Sequence, residues 1–209
     1  MKFRLAVIED VGIYADFARA AQAWLRTRGL EQYVPAAHNE YTDAILARVE
    51  AGTLYAVWDG GSAVAFFSLD PAPSPWWPAD GESALYLAGM VVSQQARGRG
   101  VGGRIIRWCT VEARRRGCRL VRLDCHAGNP WLCQYYEAHG FVLRGRIEQH
   151  PGYEGCLYQL ATATLVCSSD PWPEEGHSKS KEAIGAELER SDRLVIRYVP
   201  VAVFWSPAH

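Results

Sequence analysis

Apolar residues alternate at Phe3, Leu5 and Val7, then change to a spacing of mostly three and four at Phe17, Ala21, Trp24 and Leu25. Alternation predicts an edge strand, and the longer period a helix with one apolar stripe. That helix is expected over 11–28, capped by Asp10 and closed by Gly29. A second, over 38–51, turns Tyr41, Ile45, Leu46 and Val49 inward and ends at Gly52. Two apolar runs, 54–58 and 63–69, flank Asp59-Gly60-Gly61 and read as a hairpin. Pro71, Pro73, Pro75 and Pro78 then impose a loop carrying Trp76 and Trp77.

The run 85–92 is apolar almost throughout, as suits a buried central strand. A glycine-rich stretch, 96–103, leads into a helix reaching about Arg116, with Val101, Ile105, Trp108, Cys109 and Ala113 on its inner side. After Gly117 a strand is expected over 120–125. Asn129 and Pro130 then suit the cap and first turn of a helix ending at Gly140. Runs 141–147 and 156–166 read as a closing antiparallel pair. The order predicts a mixed α/β domain over 1–166 with one parallel crossover near its middle. Residues 167–209 differ in character: a polar, proline-bearing stretch, a short helix over 181–189 and a loose strand over 194–204. So apolar a strand needs a partner, either its own sheet or a second copy of the chain in a homodimer.

Chemistry concentrates in Gln95-Ala96-Arg97-Gly98-Arg99-Gly100-Val101-Gly102-Gly103, because it follows a strand and opens a helix. Residues without a Cβ let successive backbone N–H groups converge on one anion, and the helix start adds unpaired donors. Arg97 and Arg99 add charge. A P-loop would end in Gly-Lys-Ser/Thr, and this stretch has no lysine. Gly98 to Gly103 also fits GxGxxG, but two helices and a hairpin precede it and no second βαβ half follows. An acyl-coenzyme A site and a glycine turn without a ligand both remain open at this point.

Gln95, Gly98 and Gly100 match the Arg/Gln-x-x-Gly-x-Gly/Ala signature of the GNAT N-acetyltransferase superfamily. Asn129 followed by Tyr136-Glu137-Ala138-His139-Gly140-Phe141 matches a second element of that family. The chain resembles the family from about Phe3 to Leu165 and not in its tail. The resemblance implies a mixed, mostly antiparallel central sheet flanked by helices. It further implies acetyl-CoA as donor and acetylation of an amine by direct attack in a ternary complex. Backbone groups of Met90, Val91 and Val92 would meet the pantetheine arm, and the N–H groups from Gly98 to Gly103, with Val101 between, the diphosphate. Asn129 would serve the cofactor side. Tyr136 would give a proton to the leaving sulfur, and Glu82, just ahead of the central strand, is the first choice of general base. Asp124 and His126 are further choices. A covalent cysteine route through Cys125 or Cys133 is a minor alternative.

The acceptor is expected against the early helices and loops, where Trp24, Tyr33, Tyr41, Trp76 and Trp77 suit an apolar or cationic small-molecule amine. Composition adds exclusions. A formal net charge of -1 over 209 residues demands neither nucleic acid nor a membrane surface. Nine arginines between positions 97 and 122 leave a polyanion-binding module as the rival class. None of the six cysteines forms a CxxC pair, so no metal is expected. The opening Met1-Lys2-Phe3-Arg4 leads straight into an amphipathic pattern, from which a cytoplasmic protein is expected.

Overall fold

The computed structural model describes residues 1–30, 38–72, 74–150 and 153–164. Seven strands make one sheet: β1 (Lys2–Leu5), β2 (Leu54–Asp59), β3 (Ser62–Asp70), β4 (Ala84–Val92), β5 (Leu120–His126), β6 (Val142–His150) and β7 (Tyr153–Ala161). Their spatial order is β1-β2-β3-β4-β5-β7-β6. Every neighbouring pair is antiparallel except β4 and β5, which are parallel. A parallel pair needs a crossover, and α3 (Val101–Arg115) supplies it. The other helices are α1 (Val11–Arg26), α2 (His38–Glu50) and α4 (Pro130–Ala138).

Side chains alternate across the sheet, and each face finds its own helices. Leu85, Leu87, Val121, Leu123 and Cys125 pack with Ile105, Cys109 and Ala113 of α3 and with Leu132 and Tyr136 of α4. Leu54, Ala56, Phe66 and Val91 pack with Tyr14, Ala18, Ala21 and Leu25 of α1 and Ile45 of α2. Farther along that second face the proline loop takes over, with Trp77 on Ala84, Tyr86 and Leu157. In α1 the small residues Ala15, Ala18 and Ala21 are buried, while Phe17 and Trp24 are only half-buried. Small side chains let the helix approach the sheet closely, so the larger ones flank the contact.

Two local expectations change. Asp10 does not cap α1: its carboxylate accepts from Arg4 at 2.6 and 3.0 Å and from the Val7 N–H at 2.9 Å, closing a short 3-10 turn instead. The β6–β7 hairpin runs on to His150 and resumes at Tyr153. Residues 148–150 and 153–155 lack an apolar alternation, but Tyr153 is buried and stacks on His126 at 4.4 Å, and β7 ends at Ala161 in a 3-10 turn over Thr162–Thr164 rather than running on to 166. Asn129 caps α4 as expected, its Oδ1 accepting from the Leu132 N–H at 3.2 Å with Pro130 at the first turn. The predicted tail, 167–209, and Tyr33 lie outside the described residues.

Phe67 is wholly buried, stacked on Tyr55 at 5.3 Å and edge-on to Trp108 at 5.6 Å and Phe3 at 6.2 Å. Phe67→Ala is expected to cost about 3–5 kcal/mol in urea unfolding. A loss under roughly 1 kcal/mol would contradict this packing.

Candidate functional site

The parallel pair is short. β4 and β5 share the rungs Ala84↔Leu120, Leu85↔Val121 and Tyr86↔Arg122, and then part. Beyond that point β4 stays with β3 as far as Val92, and β5 stays with β7 as far as His126. The cause lies in β4, where Gly89 at φ +59° sits in a bulge opposite Phe67. An extra residue bends its strand and raises the local twist. It also shifts the alternation by one, so Met90 and Val92 face the same side as Leu85 and Leu87. The Tyr14 hydroxyl donates to the Gly89 carbonyl at 3.3 Å, tying α1 to the bulge. The result is a fork in the middle of a sheet, with backbone groups of β4 and β5 facing each other unpaired by a strand. Side chains of Met90, Val91 and Val92 are buried, so only their backbone can meet a ligand there. An extended chain bearing amides fits such a gap as a missing strand would.

The mouth of the fork is the glycine stretch. Gly98 and Gly100 take φ +73° and +71°, conformations that strain any residue with a Cβ. Both are exposed, and Gly100 is the N-cap of α3 with no side-chain cap, so the first N–H groups of the helix face outward unsatisfied by any side chain. Gly102 and Gly103 serve a different purpose. A Cβ on Gly102 would collide with the Tyr135 hydroxyl, and one on Gly103 would stand 2.8 Å from His139 Nε2. These two let α4 lie against the start of α3. Arg97 is half-buried with its guanidinium 5.1 Å from the Trp24 ring, and that burial lowers its pKa from the usual arginine value. Arg99 is held by Asp59 at 2.6 Å.

At the deep end lies Tyr136. It is wholly buried between Phe141 at 5.4 Å and Tyr158 at 6.2 Å, and its hydroxyl has no hydrogen-bond partner among the described residues. Burial, then the nearby Cys125, Tyr135 and Asp124, push its pKa well above the ordinary tyrosine value. A buried hydroxyl without a partner is costly unless a ligand supplies one. An open fork, a glycine cradle at its mouth and a hydroxyl buried beside β5 without a partner among the described residues fit a diphosphate-bearing thioester arm.

Sequence-predicted residues divide accordingly. The structure brings together Met90, Val91, Val92, the 97–103 stretch and Tyr136. The Asn129 side chain caps α4, the helix that carries Tyr136. Glu82 is not brought to the fork. It is exposed, pairs with Arg119 at 2.7 Å and precedes β4 on the closed side. At about 3.3 Å per residue it stands roughly 13 Å along the strand from the last shared rung. Trp24 lies beside Arg97 and the glycine mouth, with Arg28 at 4.5 Å. Tyr41 is in the first turn of α2, but its side chain is outside the described residues.

One buried group escaped the sequence reading. Arg122, at the last rung of the fork, is 2% exposed. It donates to Asp80 at 3.0 and 2.5 Å and to the Tyr86 hydroxyl at 3.3 Å, and its guanidinium lies 4.4 Å from the Trp77 ring. Arginine inside an alternating core strand was the available signal. Hydrogen bonds from Arg122 and the Glu82 N–H hold Asp80 down to about 2. This pair is therefore intact above the ordinary carboxylate range and loosens only as pH falls towards that value. Trp76 and Trp77 are thus pinned over the face of β5 opposite α3. On the same face Ser68 Oγ is buried without a partner among the described residues, and burial raises the Asp70 carboxyl against the lowering effect of Arg48. Among the described residues no cluster of three or more His, Cys, Asp or Glu is arranged to hold a metal, and no helix is long and apolar enough to cross a membrane.

The model of the Acetyltransferase (GNAT) family matches residues 17–141. The chain is 29% identical over 145 residues to the uncharacterized N-acetyltransferase YesJ of Bacillus subtilis, covering 67% of this chain and 81% of that protein. A GNAT-family acetyltransferase of Listeria monocytogenes superposes with a TM-score of 0.62 at 21% identity, over 77% of this chain and 94% of its own. The yncA protein of Salmonella typhimurium, solved with its cofactor acetyl-CoA, gives a TM-score of 0.55 at 16% identity, over 83% and 98%. At such identities the solved structures speak for the fold alone.

Gly102→Ala should force Tyr135 aside and lower stability by about 1–3 kcal/mol. Adding Tyr135→Phe removes the colliding oxygen and should recover most of that loss in thermal unfolding. A double variant no more stable than Gly102→Ala would break the assigned contact.

Proposed function

The chain belongs to the GNAT acetyltransferase family, and from that premise we propose that it acetylates an amine of a small molecule from acetyl-CoA by direct attack in a ternary complex. The observation that carries this reading is the fork, with the Tyr136 hydroxyl buried beside β5 and without a partner among the described residues. Acetyl-CoA supplies the activated thioester; the chain supplies position and protons. N–H groups from Gly98 to Gly103 hold the diphosphate, with Arg97 and Trp24 beside it. Backbone groups of Met90, Val91 and Val92 orient the arm and offer a donor to the carbonyl oxygen as it gains charge.

Tyr136 keeps its proton until the sulfur leaves. Because burial holds its pKa above the ordinary value, the protonated form persists to higher pH, and this residue adds no basic limb below about pH 10. Asp124 takes the place expected for Glu82. It is the one carboxylate in the stretches 87–92 and 123–126 that bound the fork, and it is near enough to Tyr136 to raise its pKa. There it accepts the ammonium and draws off its proton. The acceptor enters over the face carrying Ser68, Tyr86 and the pinned tryptophans, where aromatic rings suit a cationic or apolar group. The rival polyanion reading loses support, since five of the nine arginines, 99, 115, 116, 119 and 122, already have carboxylate partners.

A thiol-release screen of small amines with acetyl-CoA tests the class. Within it, Tyr136→Phe should cut kcat by roughly 100-fold while leaving acetyl-CoA affinity within a few-fold. Asp124→Asn should lower kcat/KM for the amine and flatten the acidic limb of the profile. Unchanged turnover in either variant removes that residue from the mechanism.

A further inference from the structure

We infer that Cys125 and Cys133 form an oxidisable dithiol that shuts the acyl-transfer site when it becomes a disulfide, a regulation that rests on the function proposed above. Their sulfurs are 3.9 Å apart, across the contact between β5 and the first turn of α4. A disulfide needs about 2.05 Å, so closure asks for a shift of about 2 Å. Cys156 stands directly opposite Cys125 in the β5–β7 ladder and is near enough to Cys133 to influence its titration. Three thiols therefore meet at one place without forming a metal set.

The two sulfurs have unequal roles. Cys125 is 4% exposed, whereas Cys133 is half-buried and reachable from outside. The contact with Cys125 lowers the pKa of Cys133, and the same contact, with burial, raises that of Cys125. The thiolate is the form that meets an oxidant. With hydrogen peroxide as that oxidant, the Cys133 sulfur attacks one peroxide oxygen, giving a sulfenic acid and one water. The Cys125 thiol then attacks the same sulfur, a second water leaves, and the sulfur–sulfur bond forms. Two thiols lose two electrons to the peroxide, and the balance closes.

Closure reaches the chemistry because of what lies next to it. Cys133 is three residues before Tyr136 on α4, hence on the same side of the helix. Cys125 is on the diverging part of β5 and belongs to the same buried cluster as Tyr136. Drawing α4 onto β5 moves the hydroxyl and one wall of the fork together. A misplacement of that order can cost about 100-fold in rate.

Reduced full-length protein is treated with hydrogen peroxide, then its disulfides are mapped by peptide mass and its acetyl-CoA turnover is followed. The expected first product is the 125–133 bond, with turnover down about 100-fold and restored by dithiothreitol. Cys133→Ser should keep the reduced activity and lose the sensitivity, with Cys133→Ala as a second variant should the serine misfold. Free thiols at both positions, a bond made to Cys156 instead, or a 125–133 bond with full turnover would each overturn the inference. Reduced protein that never turned over would instead defeat the proposed function, because mapping reads the bond without any activity.

Discussion

Everything in this structure depends on two strands that begin as neighbours and then separate. A sheet interior normally pairs each N–H and C=O with the next strand. Here β4 and β5 share three rungs and then leave their facing edges apart. What holds them apart is distributed on both sides. Gly89 bends β4 towards β3, and Tyr14 fastens the bulge to α1, which the row of alanines lets sit close. On the other side, the full-length β5–β7 pairing holds β5 to the far half of the sheet. Hydrophobic burial on both faces sustains a gap that its own backbone disfavours.

The glycine stretch shows how one composition answers two constraints. Gly98 and Gly100 are required by backbone conformation, with open space where a Cβ on Gly100 would stand. Gly102 and Gly103 are required by close approach, because α4 presents Tyr135 and His139 against them. The first pair turns donors outward, and the second lets α4, and with it Tyr136, be set against the helix that begins the cradle. Mouth and deep end of the fork are thereby fixed relative to each other through a single helix contact.

Much of the fold was legible because the signals are local. Among the described residues, periodicity placed the helices and strands to within about five positions, glycines and prolines punctuated them, and Asn129-Pro130 marked the start of α4. The two motifs that carry the family resemblance pointed to the glycine mouth and to Tyr136. What stayed hidden depends on direction and on distant partners. Glu82 was chosen for its closeness to the central strand, yet only the parallel pairing tells which end of that strand opens. Arg122 and Asp80 are 42 positions apart, and nothing near either names the other. Trp24 reads as an acceptor aromatic, with no local sign that Arg97 lies beside it. Asp10 looked like a cap because Arg4, its actual partner, belongs to the preceding strand.

The ion pair at the last rung of the fork is the step that joins donor and acceptor sides. A buried arginine with a half-exposed aspartate contributes little net stability once desolvation is counted, and an apolar pair would serve packing as well. Its geometry gives a better reason for it. Asp80 belongs to the loop that carries the tryptophans, Arg122 to the strand that leaves β4 immediately afterwards, and Tyr86 to the opposite rung. One guanidinium thus binds three segments where the sheet stops being continuous. Its Nε keeps no partner among the described residues, so one buried donor is left over at that point. Where a hydrophobic contact would allow the loop to slide, the fork of donors on arginine sets both its distance and its orientation. The tryptophans are then held in one place over the face where the proposed acceptor would enter, and the gap beside them is left open for the proposed donor.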